Sequence, residues 1–207
     1  VTKTDDLIKS GYLSKFRIKV LLCKHAPQHF ESYHDEMEYL VEHKGRNNLI
    51  KNLVNDIDGN TLVLFNYIEK HGQPLYDLIN NTIDSERKIF FVHGGTDVED
   101  REAVRQITET ENNAVIIASY GTFSTGINIK RLHNIIFASP SKSRIRNLQS
   151  IGRVLRKGSG KDMATLYDIA DDIGGQNYTL RHLNERVNIY NDENFKYEVI
   201  RVNLRAS

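Results

Sequence analysis

A chain of 207 residues is long enough to bury one sizeable core, and 39% hydrophobic with 27% charged residues excludes a disordered or fibrous chain. The formal net charge of +1 excludes a uniformly basic or acidic chain, so any one-sign patch is local. No apolar stretch is long enough for a bilayer and no signal-peptide pattern opens the sequence, and the single cysteine, Cys23, cannot close an internal disulfide; a cytoplasmic protein away from membranes is expected.

Strand-like and helix-like segments alternate. Residues 16–23 form a β-rich run that holds Cys23 as a small core residue. Phe30, Tyr33, Met37, Leu40 and Val41 recur at helical spacing, as do Leu49, Ile50, Leu53, Val54 and Ile57. Residues 61–65 are almost continuously apolar, the pattern of a strand covered on both faces. His71-Gly72 breaks this pattern, and Pro74 suits the first turn of the next helix. A strand over 88–92 ends in the turn His93-Gly94-Gly95, and Thr96 with Glu99 reads as a capping box. Strands follow over 114–118 and 134–138. The next helix is stopped by Gly158-Ser159-Gly160, and a strand over 164–169, a helix over 178–190 and a strand over 197–204 complete the chain. This alternation predicts an α/β fold, a mostly parallel sheet flanked by helices. One domain over 1–207 is expected: an opening strand and helices over 1–60, a motif-bearing core over 61–170, and a closing helix and strand over 171–207.

Ligands of such sheets gather beyond the carboxyl ends of the strands. Asn66-Tyr67, His93-Gly94-Gly95, the hydroxyl-rich run from Ser119 to Asn128, and Ser139-Pro140-Ser141 all fall there. Glycine at 94 lets backbone amides approach a phosphate, although a sharp turn alone needs the same residue. Ser119, Tyr120 and Thr122 are candidates to hold a sugar-phosphate backbone, the plainer alternative being a polar connector. Tyr120 or Phe123 are candidates to stack on a base, but packing in the core is the commoner use of an isolated aromatic. His25, His29 and His34 lack metal-ligand spacing and are expected on the surface. Asp168, Asp171 and Asp172 are expected in a capping or solvated loop after a strand.

The most informative run is 149–156. On a helix, Gln149, Arg153 and Arg156 fall within about 60° of one another, with Arg146 beside them and an apolar stripe opposite. From Ser141 to Lys161 there are seven basic residues and no acidic one. Arginine forks fit phosphate oxygens in pairs, so a nucleotide or a nucleic-acid backbone is the expected partner, against the blander alternative of a solvated basic face. No GxxxxGK[ST] loop is present, and Asp35-Glu36 lies in a helix rather than after a buried strand, so the chain offers arginines for phosphoryl transfer without a phosphate cradle.

Gln149-Ser-Ile-Gly152-Arg153-Val-Leu-Arg156 resembles motif VI, QxxGRxxR, of the superfamily 2 helicases. Residues 118–128 resemble motif V, residues 62–67 motif IV, and Val92-His93-Gly94-Gly95 the segment after the domain's second strand, in the family's order. The chain is similar to the second, C-terminal, RecA-like domain of double-strand translocases of that superfamily. The resemblance implies a P-loop NTPase-type fold without its own P-loop. It implies that Arg153, Arg156 and Gln149 act on ATP, and that Gly126, Asn128 and Gly152 lie near the nucleotide, with Asn128 replacing a frequent Asp. It implies that Asn66, His93, Gly94 and Ser119 touch DNA. ATP and Mg2+ are then held mainly by a preceding RecA-like domain, before Val1, and the isolated chain is expected to be inactive. Remodelling of branched or duplex DNA in recombination, repair and replication is the implied role. A binding module that hydrolyses nothing, and an unrelated doubly wound enzyme for a phosphorylated substrate, remain as alternatives.

Overall fold

The computed structural model describes residues 15–124, 131–140 and 163–204. In chain order these form β1 (Lys15–Lys24), α1 (Tyr33–Glu42), α2 (Lys44–Asp56), β2 (Thr61–Phe65), a π-helical turn (Ile68–Gly72), α3 (Gln73–Asn80), β3 (Ile89–Val92), α4 (Val98–Thr110), β4 (Val115–Ser119), α5 (Tyr120–Ser124), β5 (Asn134–Phe137), β6 (Met163–Asp172), α6 (Tyr178–Asp192) and β7 (Tyr197–Asn203). The strands make one sheet in the order β3-β4-β2-β5-β6-β1-β7, and every neighbouring pair is parallel. All strand ends therefore share one edge. The opening strand β1 belongs to this sheet through its pairing with β6 and β7, and α2 packs on it through Ile50 and Val54.

The continuous apolar runs follow from burial on both faces. On one face Leu62, Leu64, Ile116, Ile135 and Leu166 pack with Leu183 and Tyr190 of α6 and with Val104 of α4. On the other, Val63, Phe65, Ile117, Ile136 and Ile169 pack with Ile50 and Val54 of α2 and Leu75 and Ile79 of α3. Cys23 is fully buried, and burial pushes its thiol up to about 12, so it is inert packing. Pro74 sits in the first turn of α3.

Three local expectations are corrected. His71-Gly72 is not a break. Both residues are buried inside the π-helical turn, and a Cβ on Gly72 would stand 2.5 Å from the Phe65 ring, which is why only glycine fits. Thr96 and Glu99 form no capping box. Asp97 is the N-cap of α4, and the Thr96 hydroxyl instead accepts the His93 N–H at 3.1 Å, closing the turn before the helix. Asp168, Asp171 and Asp172 lie within β6 rather than in a loop, because that strand runs three residues past Ile169.

Candidate nucleic-acid interface

The loops after β3, β4 and β2 lie side by side at the carboxyl edge of three adjacent strands. Asn66 follows β2 and is exposed. Its N–H donates to Ser139 Oγ at 3.0 Å and its Nδ2 to the Pro140 carbonyl at 3.1 Å, which fastens the end of β2 to the end of β5. His93 is half-buried, and its Nδ1 accepts the Gly95 N–H at 3.0 Å. Gly94 projects into solvent, and a Cβ there would meet nothing within 4 Å. Packing therefore does not require glycine at 94, whereas a ligand pressed on the backbone would.

Ser119 ends β4 and starts α5. Its Oγ accepts the Thr122 N–H at 3.2 Å and lies 2.7 Å from Thr122 Oγ1, so the hydroxyl pair caps a single helical turn. Thr122 is 4% exposed and is spent on this internal bond. The Tyr120 ring packs 5.8 Å from that of Phe137, its hydroxyl donates to the Ser139 carbonyl at 3.3 Å, and burial raises its phenol above the ordinary range. Tyr120 and Thr122 thus support the edge from beneath. Gly126, Asn128, Gln149, Gly152, Arg153 and Arg156 lie outside the described residues.

Beneath the edge is a polar layer that the sequence did not announce. Arg46 of α2 is fully buried. Its Nε donates to both Asp171 oxygens, at 2.9 and 3.1 Å, and its NH1 to the Ala138 carbonyl at 2.5 Å. His25 Nε2 stands 2.8 Å from Asp171 Oδ1 with its side chain only 1% exposed, which corrects the expectation that it is a surface residue. His29 and His34 are exposed, as expected. Burial raises the Asp171 carboxyl, but the Arg46 charge and the hydrogen bonds from His25 and Arg46 outweigh it and leave it below the usual range. His71 lies between Ser139 and Asn47, and burial followed by the Arg46 charge pushes its imidazole down to about 3. Across the sheet, Arg186 of α6 grips Asp168 at 2.8 and 2.9 Å, and the Tyr190 hydroxyl donates to the same carboxylate at 2.8 Å. Glu36, buried in α1, accepts the Tyr178 and Thr179 N–H groups at 3.0 and 2.7 Å and so caps α6.

Signals for these groups exist in retrospect. Arg46 shares a helical stripe with Ile50 and Val54, Arg186 one with Leu183 and Tyr190, and Asp168 interrupts a buried strand. A charge on an apolar stripe requires a partner. Among the described residues no group of three His, Cys, Asp or Glu is placed to hold a metal ion, and no helix is long and apolar enough to cross a membrane.

Residues 45–158 match the family described as Helicase conserved C-terminal domain. The chain is 34% identical to the ATP-dependent DNA helicase uvsW of Enterobacteria phage T4 over 223 residues, which covers 97% of this chain and 43% of that protein. It thus spans less than half the length of this relative. The crystal structure of T4 UvsW superposes with a TM-score of 0.78 at 32% identity, covering 99% of this chain and 43% of the other. The DNA-bound LlaBIII, an ATP-dependent Type ISP restriction-modification enzyme, gives 0.63 at 17% identity over 100% of this chain and 16% of its own. The C-terminal domain of the DEAD-box protein Dbp5 gives 0.60 at 12% identity over 94% and 92%. The last two similarities concern the fold alone.

Proposed function

Because the chain belongs to the Helicase conserved C-terminal domain family and has its RecA-like parallel sheet, we propose that it is the C-terminal motor domain of an ATP-dependent DNA helicase that remodels branched or duplex DNA in the cytoplasm. The observation that carries this is the family match across residues 45–158, which takes in the carboxyl edge of β2, β3, β4 and β5 and the basic run that follows. In this reading the edge grips a phosphate backbone through Asn66, the amides around His93-Gly94, and Ser119. Three adjacent strands set these loops across about 10 Å, the axial rise of roughly three nucleotides of one DNA strand. Such contacts fix register without reading sequence.

ATP supplies the phosphoryl group whose hydrolysis drives the cycle. Its phosphates and Mg2+ are held mainly by a preceding RecA-like domain. Arg153 and Arg156 bring guanidinium charge to the transferred phosphoryl, Gln149 orients the nucleotide or the attacking water, and Gly126, Asn128 and Gly152 lie beside the nucleotide. Those roles rest on the motif resemblance and on the fit of planar guanidinium forks to phosphate oxygens.

Two substitutions in the complete helicase test the two halves. Arg156→Ala is expected to lower ATP turnover by about 10³-fold or more while leaving the protein folded. Unchanged turnover overturns the motor assignment and favours the alternative, a non-catalytic nucleic-acid-binding module. Gly94→Ala meets open space, so thermal stability should hold while DNA affinity falls. Equal affinity for DNA removes the β3 loop from the interface.

A further inference from the structure

Ser139, His71 and Asn47 stand in line. Ser139 Oγ is 2.6 Å from His71 Nδ1, and His71 Nε2 is 3.0 Å from Asn47 Oδ1. This is the order of nucleophile, base and orienting group in a hydrolase. The surroundings exclude that chemistry. Ser139 is 1% exposed and His71 0%, so no substrate reaches either, and the imidazole is too weakly basic to take a proton at neutral pH.

The line is a relay of fixed direction instead. Asn47 Nδ2 donates to the Val41 carbonyl at 2.9 Å, so its Oδ1 is the acceptor and His71 Nε2 carries the proton. His71 Nδ1 then accepts from the Ser139 hydroxyl, and Ser139 Oγ in turn accepts the Asn66 N–H. The same short exit of β5 is held from other sides. Leu64 O accepts the N–H of Ala138 and of Ser139, Arg46 donates to the Ala138 carbonyl, and Tyr120 to that of Ser139. Beyond Pro140 the sequence runs directly into the basic stretch that begins at Ser141.

We propose that Ser139, His71 and Asn47 are positioning residues that lock the exits of β2 and β5 into one unit, so that DNA bound at Asn66 sets the placement of the chain leaving Pro140. The relay rests on the helicase reading above. It transmits backbone position and touches neither DNA nor nucleotide. The Ser139 hydroxyl and the His71 ring each bond on both sides, so the line holds the two strand exits at one spacing and they shift together.

The test measures ATP turnover of the complete helicase with and without a duplex DNA fragment. Ser139→Ala removes both hydroxyl bonds without adding bulk. DNA-free turnover should stay within about twofold of wild type while stimulation by saturating DNA falls about tenfold, the size of a typical coupling between sites. Undiminished stimulation overturns the relay. A matched pair separates positioning from mere filling of the core. His71→Asn keeps an acceptor toward Ser139 and should retain stimulation, whereas His71→Gln keeps only a donor toward Asn47 and should lose it. Equal stimulation in the two variants also overturns the relay. Wild-type protein that hydrolyses no ATP, or ignores DNA, defeats the helicase reading itself and is thereby distinguished from failure of the relay.

Discussion

Asp168 and Asp171 are three residues apart on β6 and point to opposite faces of the sheet, and each is buried against one arginine. The Asp168 carboxylate is held by Arg186 and Tyr190, both from α6, so this pairing fastens one helix to one strand. Asp171, with Arg46 and His25, opens outward. Arg46 also holds the carbonyls of Ala138 and Ile169, so this cluster ties α2, β5, β6 and the chain after β1 together. Similar chemistry anchors a helix on one face and organises the carboxyl edge on the other.

The largest effects come from breaking either pair on one side. Asp168→Ala strands Arg186, and Asp171→Ala strands Arg46, each an uncompensated buried charge, so each should lose about 3–5 kcal/mol of unfolding free energy by urea titration. Equal losses do not separate the clusters, but apolar replacement does. Asp168→Leu with Arg186→Met and Tyr190→Phe replaces the carboxylate together with both side chains that hold it and should fall within about 1 kcal/mol of wild type. Asp171→Leu with Arg46→Met leaves the Ala138 and Ile169 carbonyls without a donor and should cost about 2 kcal/mol or more. If the two replacements cost the same, the clusters do not differ in kind.

How much of this was legible follows from the same contrast. The sheet was readable because residues 61–65 and 114–118 are apolar at both parities, a pattern that burial on two faces produces directly. The edge loops were readable because glycine and hydroxyl residues follow those runs. The polar layer was not, because its pairs join residues 125 apart, as in Arg46 with Asp171, or 68 apart, as in His71 with Ser139. Periodicity places a residue on a face but does not name what the opposite element brings to it. Tyr120 shows the same limit: its position after β4 says that it stands at the carboxyl edge, and only the proximity of Phe137 and Ser139 shows where the ring packs.

Acid should sharpen the comparison next, because His71 lies on the Arg46 side. The unfolded imidazole takes a proton near pH 6.5, whereas the folded one, desolvated and facing Arg46, waits until about 3. Between those values the unfolded state binds the extra proton, so stability is full above pH 6.5 and declines as pH falls toward 3. One such proton is worth about 1.4 kcal/mol per pH unit. Asp171, held below its ordinary value with Arg46 beside it, adds a loss at the acid end as pH falls through its folded value. Urea midpoints between pH 7 and 4 should therefore drop less steeply in His71→Gln than in wild type, by about one proton. Parallel slopes would place the acid sensitivity elsewhere.

The smallest effect concerns Glu36, which joins the two faces by capping α6 from α1. Glu36→Gln keeps a carbonyl oxygen for one of the Tyr178 and Thr179 N–H groups but removes the charge that opposes the helix dipole and the second acceptor. The cost should be about 1 kcal/mol, and amide exchange should quicken at Tyr178 and Thr179 before it does in β6. The order of exchange carries the argument. Asp168 lies within the helix's own span on the sheet and Glu36 at its first turn, so a loosened cap frays α6 from its start while the Arg186 pair still holds its middle. Exchange that rises evenly along α6 would show instead that the helix detaches as one piece and that the Asp168 cluster is not an independent anchor.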